Sequence, residues 1–486
     1  MALKPESEAS AEPFDLDAEA FRRLGHAVVD AMADHWAAEP VDPVLPTIDG
    51  AGSRALVDEP LPRISTPASE VLAQAAQVLK VCSRKNGHPR FFGYVCASAD
   101  PVGVLADALA STANQNLTAW RSSPAATEME RLVVRWLDEG LGFDGAGHGV
   151  LLSGGTAANV HGITCALARA RERADGKDSG SRDLVLYTST EAHLSIPQAG
   201  RAFGLTPSRI RRLPVDGARR LDVEALDRAI TGDLEAGLFP ACVVASAGTA
   251  NTGAVDPLLE IAELCRRHDL WFHIDGAYGA PAALAASGAE MREAFGRADS
   301  LSVDPHKWLF APFDVGCSLV RDPRDSHRAF ARSSEYIAVD GQGDIESFAF
   351  FDHSPELSRR FRALKVWAIL KTRGVDGLGR EIERQIELRR RLDHRIAAED
   401  ELELLGSGLS ISCFRYRPPS LDDEDTLRHL NQGILRRLVD SGTAFMSPTT
   451  LEGRFSLRIC IVNFRTQEAD LDRLLGDVLR LGRRSA

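Results

Sequence analysis

The chain has no Cys-x-x-Cys pair, no long basic run, no internal repeat and no apolar stretch approaching the length of a membrane span. Each absence closes off a class. Its eight cysteines, at positions 82, 96, 165, 242, 265, 317, 413 and 460, are scattered. Neither a zinc site nor a disulfide framework is indicated, and they read as small core residues in a reducing compartment. Lys plus Arg number 57 against 69 for Asp plus Glu, a formal net charge of −12, which disfavours nucleic acid and anionic membrane surfaces as partners. Residues 1–13 are polar and acidic, without the basic-then-apolar pattern of a signal peptide, so a cytoplasmic location is the expectation. What is present is 486 residues, 44% hydrophobic, enough for two or three domains with a sizeable core.

Periodicity divides the chain. Phe21, Leu24, Val28, Met32 and Trp36 recur at helical spacing over residues 14–36, giving one apolar face. Residues 39–67 then carry Pro40, Pro43, Pro46, Pro60, Pro62 and Pro67 and read as extended chain. A helix on such an arm is suited to docking on another subunit. Between residues 149 and 321 short apolar strands alternate with helical segments, the pattern of a parallel sheet covered on both faces. The strand candidates are 184–187, 241–245, 271–274, 301–303 and 318–320. Beyond residue 360, helices near 382–397, 426–438 and 468–481 mix with strands near 409–414 and 455–462, a smaller α+β domain. The expected division is residues 1–85 as an arm, 86–360 as a large α/β domain and 361–486 as the small one.

The chemistry-bearing residues fall at strand ends, where ligands collect in such sheets. Ser153-Gly154-Gly155-Thr156 follows Val150-Leu151-Leu152 and opens a helix, a plausible phosphate cradle of free N–H groups at a positive dipole end. His193 lies just past the 184–187 strand. Asp275 ends the strand Trp271-Phe272-His273-Ile274, and Lys307 follows 32 residues later. An amine that forms a Schiff base and a carboxylate that keeps a pyridine nitrogen protonated are what pyridoxal phosphate chemistry requires. Taken singly each has a bland reading: a turn, a surface histidine, a helix cap, a solvated lysine. Their joint order carries the signal.

The chain resembles the group II pyridoxal-phosphate-dependent amino acid decarboxylases, which include aromatic-L-amino-acid decarboxylase. The stretches that carry the likeness are His88-Pro89-Arg90-Phe91-Phe92-Gly93-Tyr94, Ser123-Pro124-Ala125-Ala126-Thr127-Glu128-Met129-Glu130, the Ser153 turn, His273-Ile274-Asp275-Gly276-Ala277-Tyr278, Asp304-Pro305-His306-Lys307-Trp308 and Arg359-Arg360-Phe361-Arg362-Ala363-Leu364-Lys365. The resemblance implies the aspartate-aminotransferase-like fold, fold type I, in a homodimer whose subunits share their active sites. It implies Lys307 as the Schiff-base lysine, Asp275 as the pyridinium partner, His193 as the stacking group and Ala277 on the opposite ring face. Gly155, Thr156 and His306 would hold the phosphate, and Thr249 the ring hydroxyl. Asp304 stands where animal aromatic decarboxylases are expected to carry asparagine.

The activity implied is decarboxylation of an L-amino acid, with an aromatic side chain favoured and Tyr94 and Trp120 lining the substrate pocket. In the family a loop tyrosine returns the proton to Cα. The corresponding segment, residues 333–358, has one tyrosine, Tyr336, near its start; a gapped reading places His353 at the donor position and an ungapped one Phe350. The alternatives are oxidative, aldehyde-forming decarboxylation, a silent cofactor-binding protein, or a non-decarboxylating enzyme of the same fold.

Overall fold

Trp271, His273 and Asp275 alternate along one strand, and this period of two sets the polar side of the site. A computed structural model of the chain describes residues 14–46, 48–174, 183–331 and 345–484. Among these residues, β1 (Gly149–Leu152), β2 (Leu184–Ser189), β3 (Ile210–Leu213), β4 (Phe239–Ser246), β5 (Trp271–Asp275), β6 (Ser300–Val303) and β7 (Gly316–Val320) form one sheet in the order β1-β7-β6-β5-β4-β2-β3. The segment from β3 to β6 through β2, β4 and β5 is parallel, whereas β7 runs antiparallel to both β6 and β1. The sheet is therefore mixed, the 318–320 strand running against its neighbours. Residues 304–315, between β6 and β7, form no helix, and the chain reverses direction within them. That reversal carries Lys307.

Helices cover both faces of the sheet. Val150, Leu151, Leu152, Ile274, Leu301 and Leu319, each at most 1% exposed, lie in the central core. Burying side chains of this size contributes about 1.5–3 kcal/mol each. A second sheet, β8 (Leu402–Gly408), β9 (Ile411–Tyr416), β10 (Ser447–Leu451) and β11 (Arg454–Cys460), is antiparallel in the order β10-β11-β9-β8. Its own core packs helices Glu424–Asp440 and Glu468–Arg483 against Phe414, Leu457 and Ile459. Together these make the fold-type-I arrangement of a mixed α/β sheet and a smaller α+β unit.

The first helix, Ala18–Ala38, starts at Asp17, whose carboxylate accepts from the Ala20 N–H, and none of its residues is buried. Its far end is anchored: the Arg465 guanidinium lies 4.0 Å from the Trp36 ring centroid and pairs with Glu39 at 2.8 Å. The proline-rich stretch is less uniform than expected. Asp49 caps a short helix, Gly50–Ala55, in the interval between Pro46 and Pro60 where no proline intervenes.

Several histidines are buried. Desolvation lowers His161 and His273 to a pKa of about 4, and both are fully buried. Because the unfolded rings titrate near 6.5, the unfolded chain binds the extra protons first as pH falls. The stability these two neutral rings provide is fully present above pH 6.5 and lost between about 6.5 and 4, on the order of 3 kcal/mol per ring. Thermal unfolding at pH 7.5, 5.5 and 4.5 should show a falling midpoint. A His161→Phe, His273→Phe double variant with an undiminished slope would refute the assignment.

Candidate active site

Lys307 sits in the reversal between β6 and β7, and its own backbone and neighbours hold that loop. Its N–H donates to Asp304 O at 2.9 Å, and Ala311 N–H donates to Pro305 O at 3.0 Å. Trp308, fully buried, stacks on Tyr278 at 5.1 Å and donates its indole N–H to Gln385 at 2.6 Å. With the adjacent indole fixed, the lysine is a directed side chain rather than a solvated one.

The Lys307 Nζ lies 2.9 Å from Asp304 Oδ2. Burial alone would lower the ammonium's pKa, but the charge and hydrogen bond of Asp304, with Asp275 behind it, outweigh burial and raise it. Asp304 is 1% exposed, and its other oxygen, Oδ1, has no hydrogen-bond partner. It stands under the glycine turn: a Cβ on Gly155 would come within 2.7 Å of both Asp304 Oδ2 and the Ala277 Cβ. Gly155 opens the helix Gly155–Ala174, so the positive end of that helix faces the carboxylate. Ser153 and Thr156 flank the turn with exposed side chains.

His306 completes this corner. Val315 N–H donates to its Nδ1 at 3.1 Å, which leaves the proton on Nε2, 3.6 Å from Asp304 Oδ2. Burial lowers its pKa, so the neutral ring offers one N–H donor beside the helix terminus. Asp275 closes β5 with 8% exposure; Ala277 N–H and Ser302 Oγ–H donate to its Oδ1 at 3.2 and 3.3 Å. His193 is exposed at the end of β2, with Nδ1 2.8 Å from Ser195 Oγ.

Gly155, Ala277, Asp304, His306, Lys307 and Asp275 thus meet at one end of the sheet, and His193 follows β2 at the same end. Thr249 is nearby, since Ala247 N–H donates to Asp275 O at 2.9 Å. Its hydroxyl, however, sits inside its own turn, accepting from Ala254 N–H at 3.2 Å and sharing a proton with Thr252 at 3.1 Å. Tyr94 is half-exposed, with its ring 5.5 Å from Phe445 and 5.4 Å from the Arg84 guanidinium.

Two predicted site residues lie elsewhere in this chain. His353 packs against His148, which leads into β1 from the end opposite the glycine turn, at a ring separation of 4.9 Å. Its Nδ1 bonds Ser326 Oγ at 2.9 Å, and its carbonyl accepts from His161 Nε2 at 2.8 Å. The structure therefore does not bring His353 to Lys307, because the 345–362 segment folds back with Phe350 buried beneath Arg359. Trp120 keeps company with that segment: its N–H donates to Phe348 O at 2.9 Å and its indole to Glu128 at 3.0 Å. Tyr336 lies outside the described residues.

Sequence reasoning did not identify Asp304 as the lysine's counter-ion, nor Asn159, Ser195, His273 and Ser302 as buried polar partners. The alternation of Trp271, His273 and Asp275 along β5 was the signal available for His273.

A lysine beside a strand-end carboxylate, a glycine turn opening a helix and an exposed histidine are the parts a pyridoxal-phosphate site needs. The residues fit that group: Gly155 lets the turn pack directly on Ala277 and Asp304, and the helix terminus and the His306 N–H offer donors for a phosphate. The chain matches the pyridoxal-dependent decarboxylase conserved domain over residues 51–417 and belongs to that family. It is 35% identical to an aromatic-L-amino-acid decarboxylase of Bacillus atrophaeus, covering 96% of each chain. It is 30% identical to a phenylacetaldehyde synthase of Petunia hybrida, covering 92% of this chain and 91% of that one. The structure of Oryza sativa TDC with PLP and tryptamine superposes with a TM-score of 0.90 at 27% identity, covering 98% of this chain and 99% of that one.

Asp304 gives a direct test of the lysine's environment. With Asp304→Asn the raising charge is removed and burial dominates, so the Lys307 pKa falls and more free amine is present at neutral pH. The rate of cofactor attachment, followed by absorbance after mixing apoprotein with pyridoxal phosphate, should shift its pH dependence to lower pH. An unmoved or upward-moved profile would contradict the pairing.

Proposed function

We propose that this protein removes CO2 from an L-amino acid, with aromatic side chains favoured, and releases the corresponding amine. The observation that carries the reading is Lys307, directed by Trp308 and charge-paired with Asp304, beside Asp275 at the carboxyl end of β5. Bound there, pyridoxal phosphate supplies an electron sink for the pair released when the Cα–carboxylate bond breaks. The chain's own residues do the rest. Lys307 would hold the cofactor and give way to the substrate amine. Asp275, held by Ser302 and Ala277, would keep the pyridine nitrogen protonated. His193 would cover one ring face, with Ala277 on the other. The helix terminus at Gly155 and Thr156, with His306, anchors the phosphate and so fixes which Cα bond lies in line with the ring system. Thr249 is proposed for the ring hydroxyl, and Tyr94 for the substrate side chain.

The proton returned to Cα is assigned to Tyr336 rather than His353. His353 is engaged by Ser326, and burial lowers its pKa to about 4, which leaves little imidazolium at neutral pH. Tyr336→Phe should lower amine formation and raise the aldehyde, ammonia and peroxide fraction, while His353→Asn should leave the product ratio unchanged. The opposite pattern would return the role to His353.

We further propose a homodimer. Phe21 and Val29 on the helix Ala18–Ala38, and Val71, Leu72 and Leu79 on the helix Ala68–Cys82, are between 39% and 60% exposed, an apolar surface suited to a second subunit. A cytoplasmic location is proposed with it, in keeping with eight free cysteines.

Incubation of the holoenzyme with a panel of L-amino acids, measuring CO2, amine and aldehyde together, tests the assignment. Amine in step with CO2 supports it. Aldehyde without amine favours the oxidative reading, which the similarity to a phenylacetaldehyde synthase keeps open.

A further inference from the structure

Behind the site, a line of hydrogen bonds runs from His193 into the sheet. The His193 Nδ1 contacts Ser195 Oγ at 2.8 Å, Asn159 Nδ2 donates to that oxygen at 3.1 Å, and Asn159 Oδ1 meets His273 Nε2 at 3.0 Å. His273 Nδ1 meets Ser300 Oγ at 2.7 Å, and the Trp271 indole donates to the same oxygen at 2.8 Å. Ser195, Asn159, His273, Ser300 and Trp271 are each at most 2% exposed. The helix lies so close over this line that a Cβ on Gly162 would come within 2.7 Å of the His273 ring.

The protons along this line have one consistent direction. Ser195 N–H, which can only donate, also points at His193 Nδ1, at 3.3 Å, so that nitrogen is an acceptor. The Ser195 hydroxyl then donates to Nδ1 as well, and its oxygen receives the Asn159 amide proton. The Asn159 carbonyl accepts from His273 Nε2–H. His273, kept neutral by burial, is left with a bare Nδ1 that accepts from Ser300. Ser300 in turn accepts from Trp271, whose indole has nothing but a proton to give. A proton on Nδ1 would set two donors against each other there, since the Ser195 N–H faces the same nitrogen.

We propose that Ser195, Asn159 and His273 are positioning residues that lock His193 in the neutral tautomer with its proton on Nε2, so that it presents a donor, never an acceptor, to the reactants. A histidine that merely covered the cofactor ring would serve in either tautomer; one with a fixed N–H can also hold an acceptor atom of the substrate in a single orientation. The inference rests on the placement of His193 at the reacting site, but the protonation pattern can be read without cofactor or turnover.

The test is long-range 1H–15N correlation NMR on the full chain labelled with 15N-histidine, with His193→Gln used to assign the signal. The expected wild-type pattern is a bare Nδ1 and a protonated Nε2. Asn159→Asp keeps the shape but can only accept, so it takes the Ser195 hydroxyl proton away from His193. In that variant the Ser195 N–H, at 3.3 Å, is the one donor left at Nδ1, so the signal should move toward mixed tautomers, and kcat should fall roughly 10–100-fold, as when the orienting partner of a functional histidine is lost. Should it fail to fold, His273→Phe, read the same way, should give mixed tautomers, and His273→Gln, which retains a donor toward Asn159, should restore the wild-type pattern. A protonated Nδ1 in the wild type, or an unchanged pattern in the folded Asn159→Asp or His273→Phe variant, overturns the proposal. Absence of amine from every substrate, with the NMR pattern as expected, would count against the decarboxylase reading alone.

Discussion

Lys307→Ala is expected to lose decarboxylation by on the order of 10^4-fold or more, together with the absorbance of the attached cofactor, since among the described residues no other at this end of the sheet supplies an amine. The alanine variant alone is ambiguous. It strands Asp304, 1% exposed, without its cation. Leaving a buried charge unpaired costs several kcal/mol, so the protein could fail for reasons of stability. Lys307→Arg resolves this. A guanidinium keeps the positive charge beside Asp304 but does not form the Schiff base. The arginine variant should unfold near the wild-type temperature and still be inactive, with no cofactor absorbance. Turnover retained by either variant would remove Lys307 from the centre of the mechanism.

How much of this was legible in the sequence follows from what local pattern encodes. Strands β2, β4, β5, β6 and β7 lie inside the sheet and read as short apolar runs, because both faces are covered. The strands outside the candidate list, β1, β3, β8 and β10, are all edges. Arg211 and Arg212 in β3, Pro448 and the threonines in β10, and two glycines in β8 are the polar and interrupting residues that edges carry, and they erase the signature. In the site, Lys307, Asp275, His193 and the Gly155 turn were readable because each ends a strand, opens a helix or follows a strand within a few residues, so their order along the chain maps onto one end of the sheet. The pairing of Asp304 with Lys307 was not, since it depends on the chain reversing after β6. His353 was misplaced for a related reason: a loop's alignment says nothing about which end of β1 it folds against.

The largest stability effect is expected from a pair inside two of the motifs that carried the resemblance. Arg359 and Glu130 form an ion pair with both side chains fully buried. Between them they hold β1 at its open edge: Leu151 N–H donates to Glu130 at 2.9 Å, and Leu151 O accepts from Arg359 at 2.8 Å. Because β1 pairs only with β7, these bonds stand where a further strand would be. The next residues are Leu152 and the Ser153-Gly154-Gly155 turn, so the pair also fixes where the phosphate cradle begins. Arg359→Met should cost about 3–5 kcal/mol, because Glu130 is left as an uncompensated buried charge. Glu130→Met should cost a similar amount for the mirror-image reason. The double variant should be less unstable than the two losses added, since the stranded charge is gone. It should still fall short of the wild type by about 1–3 kcal/mol, because both polar groups of Leu151 remain unmet. Urea unfolding of the four proteins measures this coupling, and additive losses would show that the two residues act independently. The double variant should also release pyridoxal phosphate faster than the wild type on dilution: with the charge penalty removed, what remains is a β1 edge that no longer holds the glycine turn in place.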